Sequence, residues 1–259
     1  RLLDLFRDKR MEVIHIRVAE LTADSRDVGR KQLVRGFVVP AGSREADFLE
    51  EVAPMDDELI INKSSSGVFP VTNLDRLLRN MGIDTLVFTG TSTNGCVESA
   101  VRDAVDMAYD VVVVSDACAA GTRETHELAL TAMEGALTRI LSTEEVASLV
   151  QPLKPVDREA ASGLSRVEPY LPQPGRAGRD DNPYDGILPP ALELPVTRDN
   201  TALVLVDGQR LTCDPTCGLG ARASEEGKDP LLATYYERVE GAIEGMSRLL
   251  ESARAQGLP

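Results

Sequence analysis

Residues 85–109, TLVFTGTSTNGCVESAVRDAVDMAY, decide the fold. The apolar run Leu86 to Phe88 predicts a buried strand that stops at Gly90. A polar turn follows, and it delivers Cys96 where Val97, Ala100, Val101, Ala104 and Val105 begin to recur at helical spacing. Strand, turn and helix in that order form the repeating unit of a parallel sheet. A thiol at a helix N-terminus faces the positive end of the dipole and unpaired N–H groups, which favours the thiolate. Gly95 is expected to permit the turn. A buried, inert cysteine is the alternative reading.

The same alternation extends in both directions. Strand-like runs occur at Val13–Val18, Leu59–Ile61, Val111–Val114 and Ala202–Val206, with a shorter one at Thr138–Leu141. Helical patterns lie at Asn73–Met81, Cys96–Ala108, Glu124–Ala136 and Ala233–Ala255. Together they predict a three-layer α/β/α, Rossmann-like fold around a mostly parallel sheet of about six strands. Ligands of such sheets sit beyond the carboxyl ends of the strands. That edge collects Lys63 after ELIIN, Cys96 after TLVFTG, and Asp207 at the end of ALVLVD.

Residues 1–150 are expected to form the main part of one domain, and residues 201–259 a further strand and helix of that same domain. Between them, residues 151–200 hold most of the 15 prolines and little periodicity, and read as a connector. The last residues, RLLESARAQGLP (248–259), match the first, RLLDLFRDKRME (1–12), as if one helix end were written twice.

With 259 residues and 42% hydrophobic content, the chain can bury a substantial core. It contains no run of about 18 apolar residues and no signal-like segment in RLLDLFRDKR, so a cytoplasmic, non-membrane protein is expected. A net charge of −14 argues against nucleic acid as a partner. The pair Cys213 and Cys217 is not joined by the further ligands that zinc would require. His15, in VIHIRV, and His126, in ETHELALTAM, are expected to be structural rather than ligands or bases.

A thiolate attacks a carbonyl if a base takes its proton and donors hold the oxyanion. Cys96, Asp207 and Lys63 supply such a set at one sheet edge. The stretch TLVFTGTSTNGCVESAVRDAVDMAYDVVVVSDACAAG resembles the cysteine signature of the isochorismatase-like cysteine hydrolases. KSSSGVFPVTNLDRLLRNMGID is similar to the segment carrying that family's lysine, and ALVLVDGQR to the strand carrying its aspartate. The resemblance implies Cys96 as nucleophile, Asp207 as general base and Lys63 as third member of a triad. It also implies a cis peptide at Thr91–Ser92, an oxyanion hole from the N–H groups of Ser92 and Cys96, and substrate-side roles for Gln209, Phe69 and Thr91. The implied reaction is cofactor-free hydrolysis of a C–N bond in a small amide, carbamoyl or ureido compound through a thioester. A homo-oligomer, dimer or tetramer, is implied as well. The competing expectation is a catalytically silent binding or assembly module on the same fold.

Three departures from the family pattern qualify the resemblance. The family order is Asp, Lys, Cys, whereas this chain runs Lys63, Cys96, Asp207. With the repeated helix end, this suggests a circular permutation, or exchange of residues 201–259 with a neighbouring molecule. The region after Arg17, VAELTADSRDVG, lacks the Asp-x-His motif of nicotinamidases, so neither that activity nor a metal is expected. Gly67-Val68 stands where Ser-Ala is usual before Phe69, which is expected to reshape the pocket.

Overall fold

The computed structural model describes residues 2–55, 57–155, 197, 200–225, 227, 232–241 and 243. Most of the expected connector, the end of the Ala233–Ala255 helix and the 248–259 copy of the repeated helix end lie outside them. Among the described residues six strands form one sheet: β1 (Glu12–Val18), β2 (Leu59–Lys63), β3 (Thr85–Thr91), β4 (Asp110–Ala119), β5 (Thr138–Leu141) and β6 (Thr201–Val206). Their spatial order is β2-β1-β6-β3-β4-β5, and every pairing is parallel.

The helices divide between the two faces: α1 (Leu2–Asp8), α3 (Leu74–Asn80), α4 (Glu98–Asp106), α5 (Arg123–Met133) and α6 (Thr143–Val150). A further short helix, α2 (Arg30–Arg35), lies in the loop after β1. Because strand side chains alternate, β6 sends Ala202, Val204 and Val206 into a cluster with α3, α4 and α5. Leu203 and Leu205 enter the opposite cluster, with Leu2, Leu3 and Phe6 of α1 and Val146, Ala147 and Val150 of α6. All residues of β3 and β6 are buried, as two covered faces require. No helix among the described residues is long and apolar enough to cross a membrane.

The expected fold is the observed one; β5 has its expected bounds, and the other five strands each run a residue or more further. Several helices, α2, α6 and Gly218–Glu225 among them, escaped the periodicity. α2 and α6 are short, and Cys96–Ala108 is not one helix: Thr93–Val97 forms a π turn before α4 starts at Glu98. Residues 232–241 are helical, with Tyr235 and Val239 packed on Cys213 and Ala119, and Ile243 beside the α1 cluster.

The strand arrangement depends on one glycine. Gly90 has φ of 118° and pairs with Val206, so near that a Cβ would sit 1.9 Å from the Val206 carbonyl oxygen. Gly90→Ala should therefore part β3 from β6 and destabilise the protein by about 2 kcal/mol or more. Gly121→Ala, where a Cβ meets nothing within 4 Å, should change stability by less than about 0.5 kcal/mol. Urea denaturation of the two variants beside the parent protein checks both expectations.

Candidate active site

Asp207 follows the last residue of β6 and adopts a left-handed backbone with φ of 52°. This conformation costs a non-glycine residue roughly 1 kcal/mol, so it persists where the surroundings enforce it. Its N–H donates to the Ile16 carbonyl at 2.9 Å. Its carbonyl oxygen accepts from Thr212 Oγ1 at 2.8 Å, Thr91 Oγ1 at 3.2 Å and Cys213 Sγ at 3.6 Å. The carboxylate is thereby aimed across the end of β1, where Lys63 Nζ, from the last residue of β2, donates to Oδ2 at 3.0 Å. Both side chains are buried, 0% exposed for Lys63 and 2% for Asp207. Lys63 also donates to the Ser65 carbonyl at 3.1 Å. Asp207 Oδ1 is buried and accepts no hydrogen bond of ordinary geometry among the described residues.

Burial works against the Lys63 charge, but the carboxylate of Asp207 outweighs it, with the Cys96 sulfur adding to the effect; the ammonium titrates above its usual value. Cys96 reaches this pair from β3. The Thr91–Ser92 peptide is cis, and the turn is closed by Gly95 N–H and Val97 N–H, which both donate to the Ser92 carbonyl at 2.9 and 3.2 Å. The Cys96 thiol interacts with Asp207 and Lys63 together.

Two expectations about this turn need correction. Cys96 is not poised as a thiolate: burial and then the Asp207 carboxylate push its pKa up to about 12, against an opposing pull from Lys63. The dipole argument failed because α4 proper begins two residues later and the thiol faces an anion. Gly95, in turn, has helical angles, and a Cβ there would make ordinary 3.5 Å contact with Ser92. The glycine with the special conformation is Gly90.

Gln209, expected on the substrate side, is fully buried and braces the sheet edge instead. Its Oε1 accepts from Val18 N–H at 2.6 Å, and its Nε2 donates to the carbonyls of Val18 at 3.0 Å and Glu45 at 3.1 Å. Phe69 is buried in the core, its ring 5.9 Å from that of Tyr109, and Thr91 is buried beside Asp207. Ser92 Oγ donates to Asn94 Oδ1 at 2.9 Å. His15 Nε2 contacts Glu58 Oε2 at 2.8 Å, and Arg7 pairs with the same carboxylate, which is held down to about 2: burial opposes this, but the bonds to Arg7 and His15 prevail. His126 bonds Thr93 in the cysteine turn. Sequence reasoning missed Thr212 and Cys213, although both follow Asp207 closely in the chain.

The isochorismatase domain matches residues 1–145, more than half of the chain, and the chain belongs to that family. It is 37% identical over 91 residues to the uncharacterized isochorismatase family protein YecD of Escherichia coli O157:H7, covering 35% of this chain and 48% of that protein. It is 36% identical over 98 residues to the ureidoacrylate amidohydrolase RutB of Acinetobacter baylyi, covering 38% of this chain and 40% of the relative. These matches span about half or less of the relatives' lengths. A cysteine hydrolase structure from Pseudomonas syringae pv. phaseolicola superimposes with a TM-score of 0.53 at 27% identity, covering 58% of this chain and 76% of that one.

The Cys96 environment makes a signed prediction. Alkylation of Cys96 by iodoacetamide should be slow near neutral pH and should accelerate as pH rises toward about 12. Asp207→Asn removes a charge that raises the thiol pKa while Lys63 stays, so the midpoint should move to lower pH. Peptide mass mapping of the alkylation rate against pH reads both.

Proposed function

We propose that this member of the isochorismatase family is a cysteine-dependent amidohydrolase that cleaves a C–N bond of a small amide, carbamoyl or ureido compound. The observation that carries this reading is the buried Lys63–Asp207 pair with the half-buried Cys96 thiol interacting with both of its members. A thiol held protonated beside a carboxylate is suited to attack with concerted proton transfer, because the base stands next to the proton it removes.

In this mechanism the Asp207 carboxylate takes the Cys96 proton as sulfur bonds to the substrate carbonyl carbon. Lys63 holds Asp207 in place and balances its charge. The N–H groups of Ser92 and Cys96 receive the carbonyl oxygen as it becomes negative. On collapse the C–N bond breaks, and the departing nitrogen takes the proton from Asp207. Water then attacks the thioester carbon, giving one proton to Asp207; the C–S bond breaks, and the sulfur recovers that proton. Thr91 and Gln209 serve by fixing Asp207 and the end of β1, and Phe69 by backing the site. The similarity to a ureidoacrylate amidohydrolase favours an amide or ureide over a vinyl ether.

We further read residues 1–150 and 201–259 as one domain in circularly permuted order, joined by residues 151–200. Numbering from β6 turns the spatial order β2-β1-β6-β3-β4-β5 into the 3-2-1-4-5-6 order of doubly wound folds. Limited proteolysis confined to residues 151–200 should thus leave two fragments that co-elute in size-exclusion chromatography. Fragments that separate under native conditions would contradict the single domain.

The mechanism is tested with Cys96→Ala on a panel of primary amides, N-carbamoyl compounds and ureas, using ammonia release as the readout. The variant should keep the parent's thermal transition and lose at least about 10³-fold in turnover. Parent-like hydrolysis by the variant would exclude the mechanism. Absence of turnover by the parent itself across the panel would favour the silent module.

A further inference from the structure

The cysteine turn is gripped from outside by a group that the mechanism above does not use. Thr93, its first residue, is fully buried, and its Oγ1 lies 2.9 Å from His126 Nδ1. His126 sits in the first turn of α5, a rigid platform. Thr122 caps that helix through a reciprocal box with Thr125, and His126 N–H donates to the Thr122 carbonyl at 3.0 Å.

The direction of the Thr93–His126 bond follows from counting donors and acceptors. Among the described residues the only partner recorded for the Thr93 hydroxyl is Nδ1. A buried hydroxyl proton requires an acceptor, which favours a bare Nδ1 with the ring proton on Nε2. We propose that His126, as the neutral Nε2–H tautomer accepting from Thr93, is a positioning residue that fixes the cysteine turn and so the placement of the Cys96 thiol and its neighbouring N–H donors. This rests on reading Cys96 as the nucleophile.

Two charged groups act on the ring: Glu127 beside it on α5, and Arg238 from the helical residues 232–241, whose Nη1 donates to the Ala120 carbonyl at 3.2 Å. The π turn, TNGCV, adds no fixed charge, and on α4 Glu98 is paired with Arg102. Burial lowers the pKa of His126 below its ordinary 6.5, with Arg238 assisting and Glu127 opposing. The bare nitrogen therefore persists through neutral pH. Acidification places a proton on Nδ1 and turns acceptor into donor, so the Thr93 hydroxyl hydrogen must rotate away without an acceptor, which loosens the turn.

The chain has only two histidines, so long-range ¹H–¹⁵N spectra resolve both rings, and His126→Gln assigns them. The His126 ring should show Nε2–H with bare Nδ1 at neutral pH and titrate below 6.5. His126→Leu and Thr93→Val should each lower kcat by about 10-fold to 100-fold with KM nearly unchanged, and the double variant should be no worse than either alone. The parent's kcat should fall with acid at the midpoint of the ring titration, and that limb should vanish in His126→Leu. The pH midpoint of Cys96 alkylation should also move in His126→Leu, a readout that needs no turnover. A protonated Nδ1 at neutral pH, additive losses, or parent-like kcat and alkylation in His126→Leu would each overturn the proposal. If Cys96→Ala still hydrolyses substrate, it is the nucleophile reading that fails, and the spectra and alkylation midpoint still judge the role of His126.

Discussion

An ammonium and a carboxylate, both buried, meet at 3.0 Å over the end of β1, and the geometry of the site follows from that contact. Breaking such a pair by removing one partner typically costs about 3–5 kcal/mol, because the remaining charge is stranded. The fold must therefore bring the ends of β2 and β6 to the same level on either side of β1. It does so through register, with Val18 opposite Lys63 and Ile16 opposite Val206. Asp207 leaves the sheet in a left-handed turn whose carbonyl is held by Thr212, Thr91 and Cys213. Strain at that residue is offset by these hydrogen bonds to its own backbone carbonyl.

The pair also sets the character of the thiol. Lys63 alone would favour a thiolate, but Asp207 and burial act in the other direction and prevail. The thiol is thus held protonated near neutral pH, which slows its oxidation and alkylation. β3 can bring the thiol to the pair only because Gly90 lets β3 and β6 approach so closely.

Much of this was legible in the amino-acid sequence. Buried strands such as Leu86–Phe88 and Ala202–Val206 announce themselves by unbroken apolar runs, and parallel topology then gathers Lys63, Cys96 and Asp207 at one edge. Other features lay beyond such reading. The π turn at Thr93–Val97 satisfies helical periodicity, so it merges with α4 in any pattern search. Gly95 and Gly90 look alike in sequence, and only the approach of Val206 tells them apart. The bracing bonds of Gln209 were not legible, because its amide's partners are backbone groups of Val18 and Glu45, remote in the chain. α6 carried a usable signal, since Ser142 and Glu145 form a capping box.

The central claim is that Asp207 and Lys63 deliver the Cys96 sulfur to a carbonyl carbon. Intact-protein and peptide mass spectrometry after rapid acid quench, across a panel of amides and ureas, tests it most directly. The account predicts a transient mass increase equal to the acyl group, on the Cys96 peptide alone and absent from Asp207→Asn. Turnover of a panel compound with no adduct on Cys96 at any quench time, or an adduct on another residue, would contradict it.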